Sequence, residues 1–176
     1  MRRKKIPKPD GGVRKLGIPT VVDRVIQQGI AQKLQNIWEP LFSDSSYGYR
    51  PRRSGQQAIQ KVKEYAEEGY RYAVSVDLSK YFDTLNHELL MNLLHRKIQD
   101  MRVLRIIKKY LKSGVMEKGV VSKTEEGSPQ GRPLSPLLAN IYLNEFDWEM
   151  HSRGGKTVRY ADDIVVFAKS KRAAER

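Results

Sequence analysis

The sequence predicts an α+β fold in which a small antiparallel sheet packs with helices. Three observations favour this class: strand-like and helix-like patterns alternate along the chain, the predicted strands are short, and the last pattern is strand–turn–strand. Strands are predicted at residues 72–78 and in a hairpin over about residues 156–168. A basic hairpin is also expected over residues 1–18, where an Asp-Gly-Gly run has the chemistry of a turn.

Capping side chains mark the predicted helix starts. Thr20 has Asp23 three residues later, as in a capping box, and an apolar face follows it. Ser54 predicts the start of a helix over about residues 56–67, and Asn86 predicts the start of a leucine-rich helix. The helices therefore separate the predicted strands along the chain.

The second half of the chain adds a strand pair, a loop and a long helix. Residues 115–124 resemble a strand pair or β-arm. The loop Gly127-Ser128-Pro129-Gln130-Gly131 leads into an apolar helix from Leu134 to about residue 152, which a Gly-Gly pair ends. Gln130 offers an amide donor and acceptor on a backbone that Gly and Pro fix, although a plain loop-to-helix transition is the alternative.

The chain carries a large positive charge. Its 33 Lys and Arg against 20 Asp and Glu give +13 over 176 residues. Such an excess indicates a polyanionic partner such as nucleic acid, with a solubilising basic surface as the alternative. The absence of cysteine excludes disulfides and cysteine-bound zinc. Apolar runs are too short to span a bilayer, and no signal peptide is expected, so a membrane partner is not predicted.

Two acidic motifs each adjoin an apolar strand. Asp162 and Asp163 occupy the turn of the last hairpin, and Asp77 ends the strand at 72–78. Adjacent carboxylates repel each other, and a dication relieves this because hard cations prefer oxygen ligands. If the strands are neighbours, Asp77 and Asp162 can share two divalent ions. An Asx turn and a strand-end cap are the alternatives that the residues alone leave open.

The histidines and tryptophans carry no predicted function. The histidines lack a metal-ligand spacing and are expected at the surface or at helix caps: His87, His95 and His151. Trp38 and Trp148 lie on predicted helices and are expected in the core rather than as base-stacking platforms.

Five blocks, in order along the chain, resemble the reverse transcriptases encoded by group II introns. They contain IPKPDGG and RKLGIP (residues 6–19), SYGYRP (46–51), VD followed by FD (76–83), GSPQGRPLSP with LLANIYL (127–143), and YADD (160–163). One motif of this length is a weak signal. Five in the family's order, over nearly the whole chain, are a specific one.

The resemblance implies a right-hand polymerase fold made of fingers and a partial palm. It implies fingers at residues 1–70, made of the basic hairpin plus helices, and an incomplete palm at residues 71–176 with fingers elements within it. Relatives continue into more palm and a helical thumb, so the thumb is expected to be absent. An exposed sheet edge or apolar palm surface, and a homo-oligomer formed through it, are therefore expected.

The resemblance also implies RNA-directed DNA polymerase chemistry, in which a primer 3′-hydroxyl attacks a dNTP and releases pyrophosphate. The implied catalytic residues and metal ligands are Asp77, Asp162 and Asp163, with the backbone carbonyl of Leu78 as a further ligand. The implied cofactor is Mg²⁺, as two ions, with Mn²⁺ as the alternative. The implied partners are an RNA template, expected to be intron RNA, a DNA primer and dNTPs.

Other positions in the matching blocks imply contacts with nucleotide and template. The implied nucleotide-binding residues are Lys8, Arg14, Lys15, Phe82 and Gln130, and the implied template-binding residues are Tyr49, Arg50 and Arg53. Phe82 would exclude a ribose 2′-hydroxyl sterically, and the basic residues would bind phosphate through charge-assisted hydrogen bonds. A core phenylalanine and a solvated basic hairpin are the alternatives. Arg132 replaces the small residue that relatives often carry, which suggests an added phosphate contact or a changed loop.

The sequence leaves other functions open. A non-catalytic RNA-binding or maturase module that assists intron splicing would use the positive charge but not the three acids. An RNA-dependent RNA polymerase shares the palm chemistry, although Phe82 and Ala161 argue against it. Retron-type and diversity-generating reverse transcriptases stay open as other groups to which the chain could be related. The expected location is the cytoplasm of a bacterial-type cell, including association with the nucleoid.

Overall fold

The computed structural model describes residues 2–7, 13–78, 81–113, 115–117, 120–122, 127 and 131–175. The strands are β1 (Arg2–Pro7), β2 (Val13–Ile18), β3 (Tyr72–Asp77), β4 (Val115–Glu117), β5 (Val120–Ser122), β6 (Lys156–Tyr160) and β7 (Asp163–Ala168). The helices are α1 (Val21–Trp38), α2 (Gly55–Glu67), α3 (Tyr81–Thr84), α4 (His87–His95), α5 (Met101–Lys112), α6 (Ser135–Ser152) and α7 (Lys171–Ala174), and Glu39–Leu41 forms a 3₁₀ turn. This alternation confirms the predicted α+β class.

The chain folds into two compact units, each built from two separate stretches. The first unit contains Met1–Ile37 and Lys80–Leu138, and the second contains Trp38–Ser79 and Ala139–Arg176. The predicted division into residues 1–70 and 71–176 concerns polymerase subdomains rather than compact units, and it stays a prediction. In the described part of the chain, no helix combines the length and the apolar composition needed to cross a membrane.

The first unit contains a four-stranded sheet and the α4–α5 pair. Its strand order is β2-β1-β4-β5. β1 and β2 pair antiparallel along their whole length, which confirms the basic hairpin, and the β4–β5 pair confirms the predicted β-arm. The predicted turn at residues 8–12 lies outside the described residues. Leu90, Leu94 and Ile107 are completely buried in the α4–α5 pair.

Capping hydrogen bonds form where the sequence predicts them. Thr20 Oγ1 accepts a hydrogen bond from the amide three residues later, at 3.2 Å. Asn86 Oδ1 does the same at 2.9 Å. Ser54 and Gln57 each accept a hydrogen bond from the other's amide, at 3.3 and 2.8 Å, which forms a complete capping box at the start of α2. The starts of these helices are therefore fixed by local chemistry.

The second unit is organised around an antiparallel sheet with the strand order β3-β7-β6. One face packs on α2, where Tyr65 meets Val158 and Phe167 in the core. The opposite face carries Arg159 and Ile164, which pair across β6 and β7 and are at most 1% exposed. Apolar side chains therefore lie on both faces, as expected for a sheet packed between helices.

The two edges of this sheet differ. At β6, the Arg159 amide donates to the Ser45 carbonyl and the Tyr47 amide donates to the Arg159 carbonyl, both at 2.8 Å. At the other edge, β3 has β7 as its neighbour on one side, and no strand of the described residues pairs with its other side. The expected open sheet edge is therefore β3. A homo-oligomer formed through this surface stays a prediction.

Two predictions about ring-bearing side chains are wrong. Trp38 is in the core as predicted, but Trp148 is 48% exposed and its Nε1 donates to the Leu41 carbonyl at 3.0 Å. His87 is buried rather than superficial, and its Nε2 lies 2.6 Å from the Gly127 carbonyl oxygen. Neither contact can be predicted from neighbouring residues, because the partners are 107 and 40 residues away in the sequence.

Candidate active site

The predicted catalytic carboxylates lie at one end of the β3-β7-β6 sheet. Asp77 is the last residue of β3, and Asp163 is the first residue of β7. Antiparallel pairing places the two directly opposite each other, so their Cα atoms are about 4.5–5.5 Å apart and their side chains leave the same face. Asp162 immediately precedes Asp163 in the β6–β7 turn. The two acidic motifs are therefore neighbours, which is the condition for Asp77 and Asp162 to share divalent ions.

Strand alternation places Asp77 and Asp163 on the sheet face opposite to that of Ile164. In β3, Val74 and Val76 are half-buried, whereas Asp77 is exposed. In β7, Ile164 is buried and Asp163, one residue earlier, is exposed. Successive side chains of a strand point to opposite faces, so the pattern that buries the valines and Ile164 also directs the acids away from that core.

The chemistry of the three carboxylates fits a divalent cation, but their placement fits one only in part. Carboxylate oxygens are the ligands that Mg²⁺ prefers, and Asp77, Asp162 and Asp163 supply them from two strands and one turn. Within the described residues, no three His, Cys, Asp or Glu side chains converge closely enough to hold a metal ion. A closed site therefore requires these carboxylates to turn towards one another. Leu78, the predicted backbone ligand, follows β3 directly and is half-buried.

A close contact fixes the turn that carries Asp162. A Cβ added to Gly48 would lie 2.2 Å from the Ala161 amide nitrogen, so the site has no room for any side chain. Ala161 itself has φ of 60°, in the left-handed region that residues with a Cβ rarely adopt. The turn therefore has an unusual conformation, and a glycine distant in sequence leaves the space that it needs.

A buried arginine for which the sequence predicted no role also contacts this turn. Arg159 Nη1 donates to the Ala161 carbonyl at 2.9 Å. Its Nε and Nη2 donate to the Asp147 carboxylate, and both side chains are completely buried. A signal for this arrangement exists in α6, where the polar residues Asn140, Asn144 and Asp147 stand at helical spacing and share one buried face.

The predicted nucleotide-binding residues are only partly described. Lys8 and Gln130 lie outside the described residues. Arg14 and Lys15 belong to β2, and their side chains also lie outside the described part. Phe82 is 8% exposed and makes an edge contact with the Tyr81 ring, at 5.4 Å between centroids. Phe82 is therefore a core residue in the structure, which is the alternative that the sequence left open. Its role as a steric gate stays a prediction.

The predicted template-binding residues have different surroundings. Tyr49 is 51% exposed and has φ of 56°. Arg53 pairs with Asp44 and lies over the Tyr47 ring, with 27% of its side chain exposed. Tyr49 and Arg53 are therefore accessible from solvent, and their template contacts stay predictions.

Arg50 differs from this expectation. Its side chain is 3% exposed and pairs with Glu39 at 2.8 Å. Its Nη1 donates to the carbonyls of Ser43 and Ser46, at 2.7 and 2.8 Å. The guanidinium would have to leave these partners to reach a template phosphate, so in this structure it holds the loop before α2 together.

Arg132 likewise does not offer the phosphate contact that its place in the loop suggested. It is 4% exposed and donates to the Tyr110 carbonyl, and to the Ser113 carbonyl and Oγ at 3.0 Å each. Burial lowers the pKa of Arg132 to about 10, with the nearby Asp23 carboxylate opposing this, so the group is charged at neutral pH. Its charge therefore stabilises the carbonyl end of α5.

The fold defined by these elements is that of the fingers and palm of a right-hand polymerase. The structure superposes on apo telomerase from Candida tropicalis with a TM-score of 0.70 and 13% identity, covering 99% of this chain and 44% of that one. At this identity, the likeness concerns the fold alone.

A profile of the reverse transcriptase (RNA-dependent DNA polymerase) family matches residues 6–176, so the chain belongs to that family. It is 45% identical over 136 residues to the group II intron-encoded protein LtrA of Lactococcus lactis, covering 77% of this chain and 22% of LtrA. It is 44% identical over 156 residues to protein YkfC of Escherichia coli, covering 86% of this chain and 41% of YkfC. The resemblance to group II intron reverse transcriptases is confirmed, and the chain spans less than half the length of these relatives.

Proposed function

We propose that this chain supplies the catalytic carboxylates of an RNA-directed DNA polymerase that extends a DNA primer on an RNA template. One observation carries the proposal. In a chain of the reverse transcriptase family, β3 and β7 place Asp77 directly opposite Asp163, beside Asp162 in the adjoining turn. RNA binding alone has no use for three acids at one sheet end, because they repel nucleic-acid phosphates.

The protein's own groups would act by position and charge. Asp77, Asp162 and Asp163 would hold two Mg²⁺ ions, or Mn²⁺, with help from the Leu78 carbonyl. Two ions in such sites stabilise both the attacking and the leaving oxygen of an in-line displacement. The primer 3′-hydroxyl would attack the α-phosphorus of a dNTP, forming a P–O bond and losing its proton to water as the bond to pyrophosphate breaks. The net charge of +13 would attract template, primer and triphosphate.

Selection of substrate would involve residues near this site in the sequence. Phe82 would exclude the 2′-hydroxyl of a ribonucleotide, and Gln130 would contact the incoming nucleotide. Lys8, Arg14 and Lys15 would bind the triphosphate. The template is proposed to be intron RNA, since LtrA is an intron-encoded protein.

Primer extension tests the proposal. The chain is incubated with an RNA template, a labelled DNA primer, Mg²⁺ and either dNTPs or rNTPs. We expect extension with dNTPs and a loss of at least about 100-fold in Asp162→Ala, because charge stabilisation in the transition state is removed. Glu149→Ala is the matched control. It also removes one carboxylate, but from an exposed pair with Arg153 on α6, and it should extend normally.

The other outcomes contradict the proposal in distinguishable ways. Extension that survives in Asp162→Ala would show that the catalytic acids are assigned wrongly. Extension with rNTPs alone would indicate an RNA polymerase. Salt-sensitive RNA binding by every variant, without extension, would favour the RNA-binding or maturase module for a chain of this length.

A further inference from the structure

A cluster of buried polar side chains adjoins the β6–β7 turn. Arg159 and Asp147 are completely buried and pair at 2.6 Å. Arg159 Nη1 donates to Asn140 Oδ1 at 2.9 Å, and Arg159 Nη2 donates to Ser46 Oγ at 2.8 Å. All four side chains are at most 1% exposed. These residues, Ser46, Asn140, Asp147 and Arg159, are called the buried polar cluster below.

Stability alone does not account for this cluster. Removing two charges from water costs about as much as their attraction offsets, so well-packed apolar side chains of similar volume fold equally well or better. The cluster must also satisfy every polar group that it buries, which demands a specific geometry. Its hydrogen bonds to the backbone around the β6–β7 turn suggest what that geometry achieves.

Two contacts connect the cluster to the turn. Arg159 Nη1 donates to the Ala161 carbonyl at 2.9 Å. Asn140 Nδ2 donates to the Gly48 carbonyl at 2.8 Å, and Gly48 packs directly against the Ala161 amide. Ala161 has φ of 60°, a conformation that persists only where the surroundings enforce it. The cluster therefore contacts the carbonyl of the residue that precedes Asp162 directly, and it reaches the amide of that residue through Gly48.

We infer that Asn140, Asp147 and Arg159 are positioning residues that set the backbone of the β6–β7 turn and thereby the cation affinity of Asp162 and Asp163. The inference rests on the proposed polymerase function, because it concerns the geometry of that site. The cluster does not touch the reacting atoms. It acts through the Ala161 carbonyl and through Gly48. Groups outside the metal site are therefore expected to control how tightly that site binds its ion.

A pair of asparagines on α6 provides a matched test. Asn140 and Asn144 lie one helical turn apart, are both buried, and both hydrogen-bond to backbone groups of the loop before α2. Asn144 bonds to the Leu41 carbonyl and the Ser43 amide at 3.1 Å each, whereas Asn140 also bonds to Arg159. Asn140→Ala and Asn144→Ala therefore remove the same group at similar burial, and only the first change affects the turn.

The experiment measures Mn²⁺ binding to the chain by electron paramagnetic resonance, together with the thermal unfolding midpoint. We expect Asn140→Ala to weaken Mn²⁺ binding about 10–100-fold, as for groups that orient metal ligands without touching the metal, and Asn144→Ala to leave it within about twofold. Both variants should lower the unfolding midpoint to a similar extent. Hydrogen exchange of residues 160–163 should accelerate in Asn140→Ala only, below the unfolding transition.

Each remaining outcome is decisive. Wild-type affinity and unchanged exchange in Asn140→Ala would overturn the positioning role and leave the proposed function intact. Equal losses in both asparagine variants would show that the effect is general destabilisation. If the wild type binds no Mn²⁺, or binds it equally after Asp162→Ala, the proposed metal site itself fails. Should Asn140→Ala not fold, Asn140→Asp, which keeps the acceptor for Arg159 but loses the donor to Gly48, takes its place in the same assays.

Discussion

Two arginine–aspartate pairs in this protein share their geometry and differ in their surroundings. Arg159 pairs with Asp147 at 2.6 Å, and both side chains are completely buried in the second unit. Arg102 pairs with Asp100 at 2.9 Å at the start of α5, where the side chains are 86% and 40% exposed. In each pair, both Nε and Nη2 of the arginine donate to the carboxylate. Hydrogen-bond geometry alone would rank them as equal.

The surroundings decide how much stability depends on each pair. Water solvates either partner of the exposed pair if the other is removed, so little stability depends on it. Neither partner of the buried pair can be solvated alone, so losing one leaves an uncompensated charge in the core. The buried pair also contacts the β6–β7 turn, whereas Asp100 caps α5 by accepting from the Arg102 amide at 2.8 Å. The first pair therefore specifies a distant turn and the second a local helix start.

Removing the buried cation should produce the largest effect. We expect Arg159→Met to lower the free energy of unfolding by about 3–5 kcal/mol, because Asp147 then remains buried and charged without its partner. Urea unfolding followed by circular dichroism measures this loss. The double variant Arg159→Met, Asp147→Leu should recover most of it. A double variant as unstable as the single one would show that packing, rather than the unpaired charge, causes the loss.

Filling the space beside the turn should have the next largest effect. Gly48→Ala places a Cβ 2.2 Å from the Ala161 nitrogen and should cost about 1–3 kcal/mol through forced displacement of backbone. Gly29→Ala is the matched control, because it lies within α1 and a Cβ there would meet nothing within 4 Å. That change should stabilise the protein by about 0.5–1 kcal/mol. Similar unfolding free energies for the two variants would contradict the close contact at Gly48.

Arg132 provides an intermediate case between the two pairs. It is buried like Arg159, but its described hydrogen bonds go to the carbonyl end of α5 and to the Ser113 hydroxyl. We expect Arg132→Met to cost about 1.5 kcal/mol, the lower range for a hydrogen-bonded charged group. Urea unfolding should therefore place it between Arg159→Met and Arg102→Ala. A loss equal to that of Arg159→Met would mean that a carboxylate partner is not what distinguishes the two sites.

Local patterns predicted much of the fold and the placement of the acids. The capping side chains Thr20, Ser54 and Asn86 act within three residues, so their helices begin where predicted. Sequence patterns placed Asp77 at a strand end and Asp163 in the turn just before the last strand, whereas the structure makes Asp163 the first residue of β7. Pairing of β3 with β7 brings the two acids together. Such features depend on neighbours in sequence and on one strand register.

The burial of the arginine side chains could not be predicted from such local patterns. A run of arginines near residue 50 has the pattern of a phosphate-binding surface, yet Arg50 is enclosed by Glu39 and the carbonyls of Ser43 and Ser46. Arg159 finds a partner 113 residues away in Ser46. Burial of a charge depends on which distant groups surround it, and the sequence pattern around the charged residue does not reveal those groups.

The exposed pair should show the smallest effect, and that effect should depend on pH. Hydrogen bonds from the Arg102 side chain, and then from its amide, lower the pKa of Asp100 from 3.8 to about 2. A carboxyl whose pKa is depressed in the folded state stabilises it above the unfolded pKa of 3.8, and this contribution is lost as the pH falls through about 2. At neutral pH, where this contribution is fully present, Arg102→Ala should lower the unfolding midpoint only slightly, because water solvates both groups and weakens their attraction.

An NMR titration of the Asp100 carboxyl carbon measures the pKa of Asp100 directly. Arg102→Ala should raise that pKa towards 3.8 without reaching it, because the hydrogen bond from the backbone amide of residue 102, at 2.8 Å, remains. If the pKa of Asp100 does not move, the helix amides rather than the guanidinium hold the carboxylate ionised. The exposed pair would then be a helix cap with an arginine beside it, and the contrast with the buried pair, where loss of the guanidinium leaves a buried charge unpaired, would become sharper.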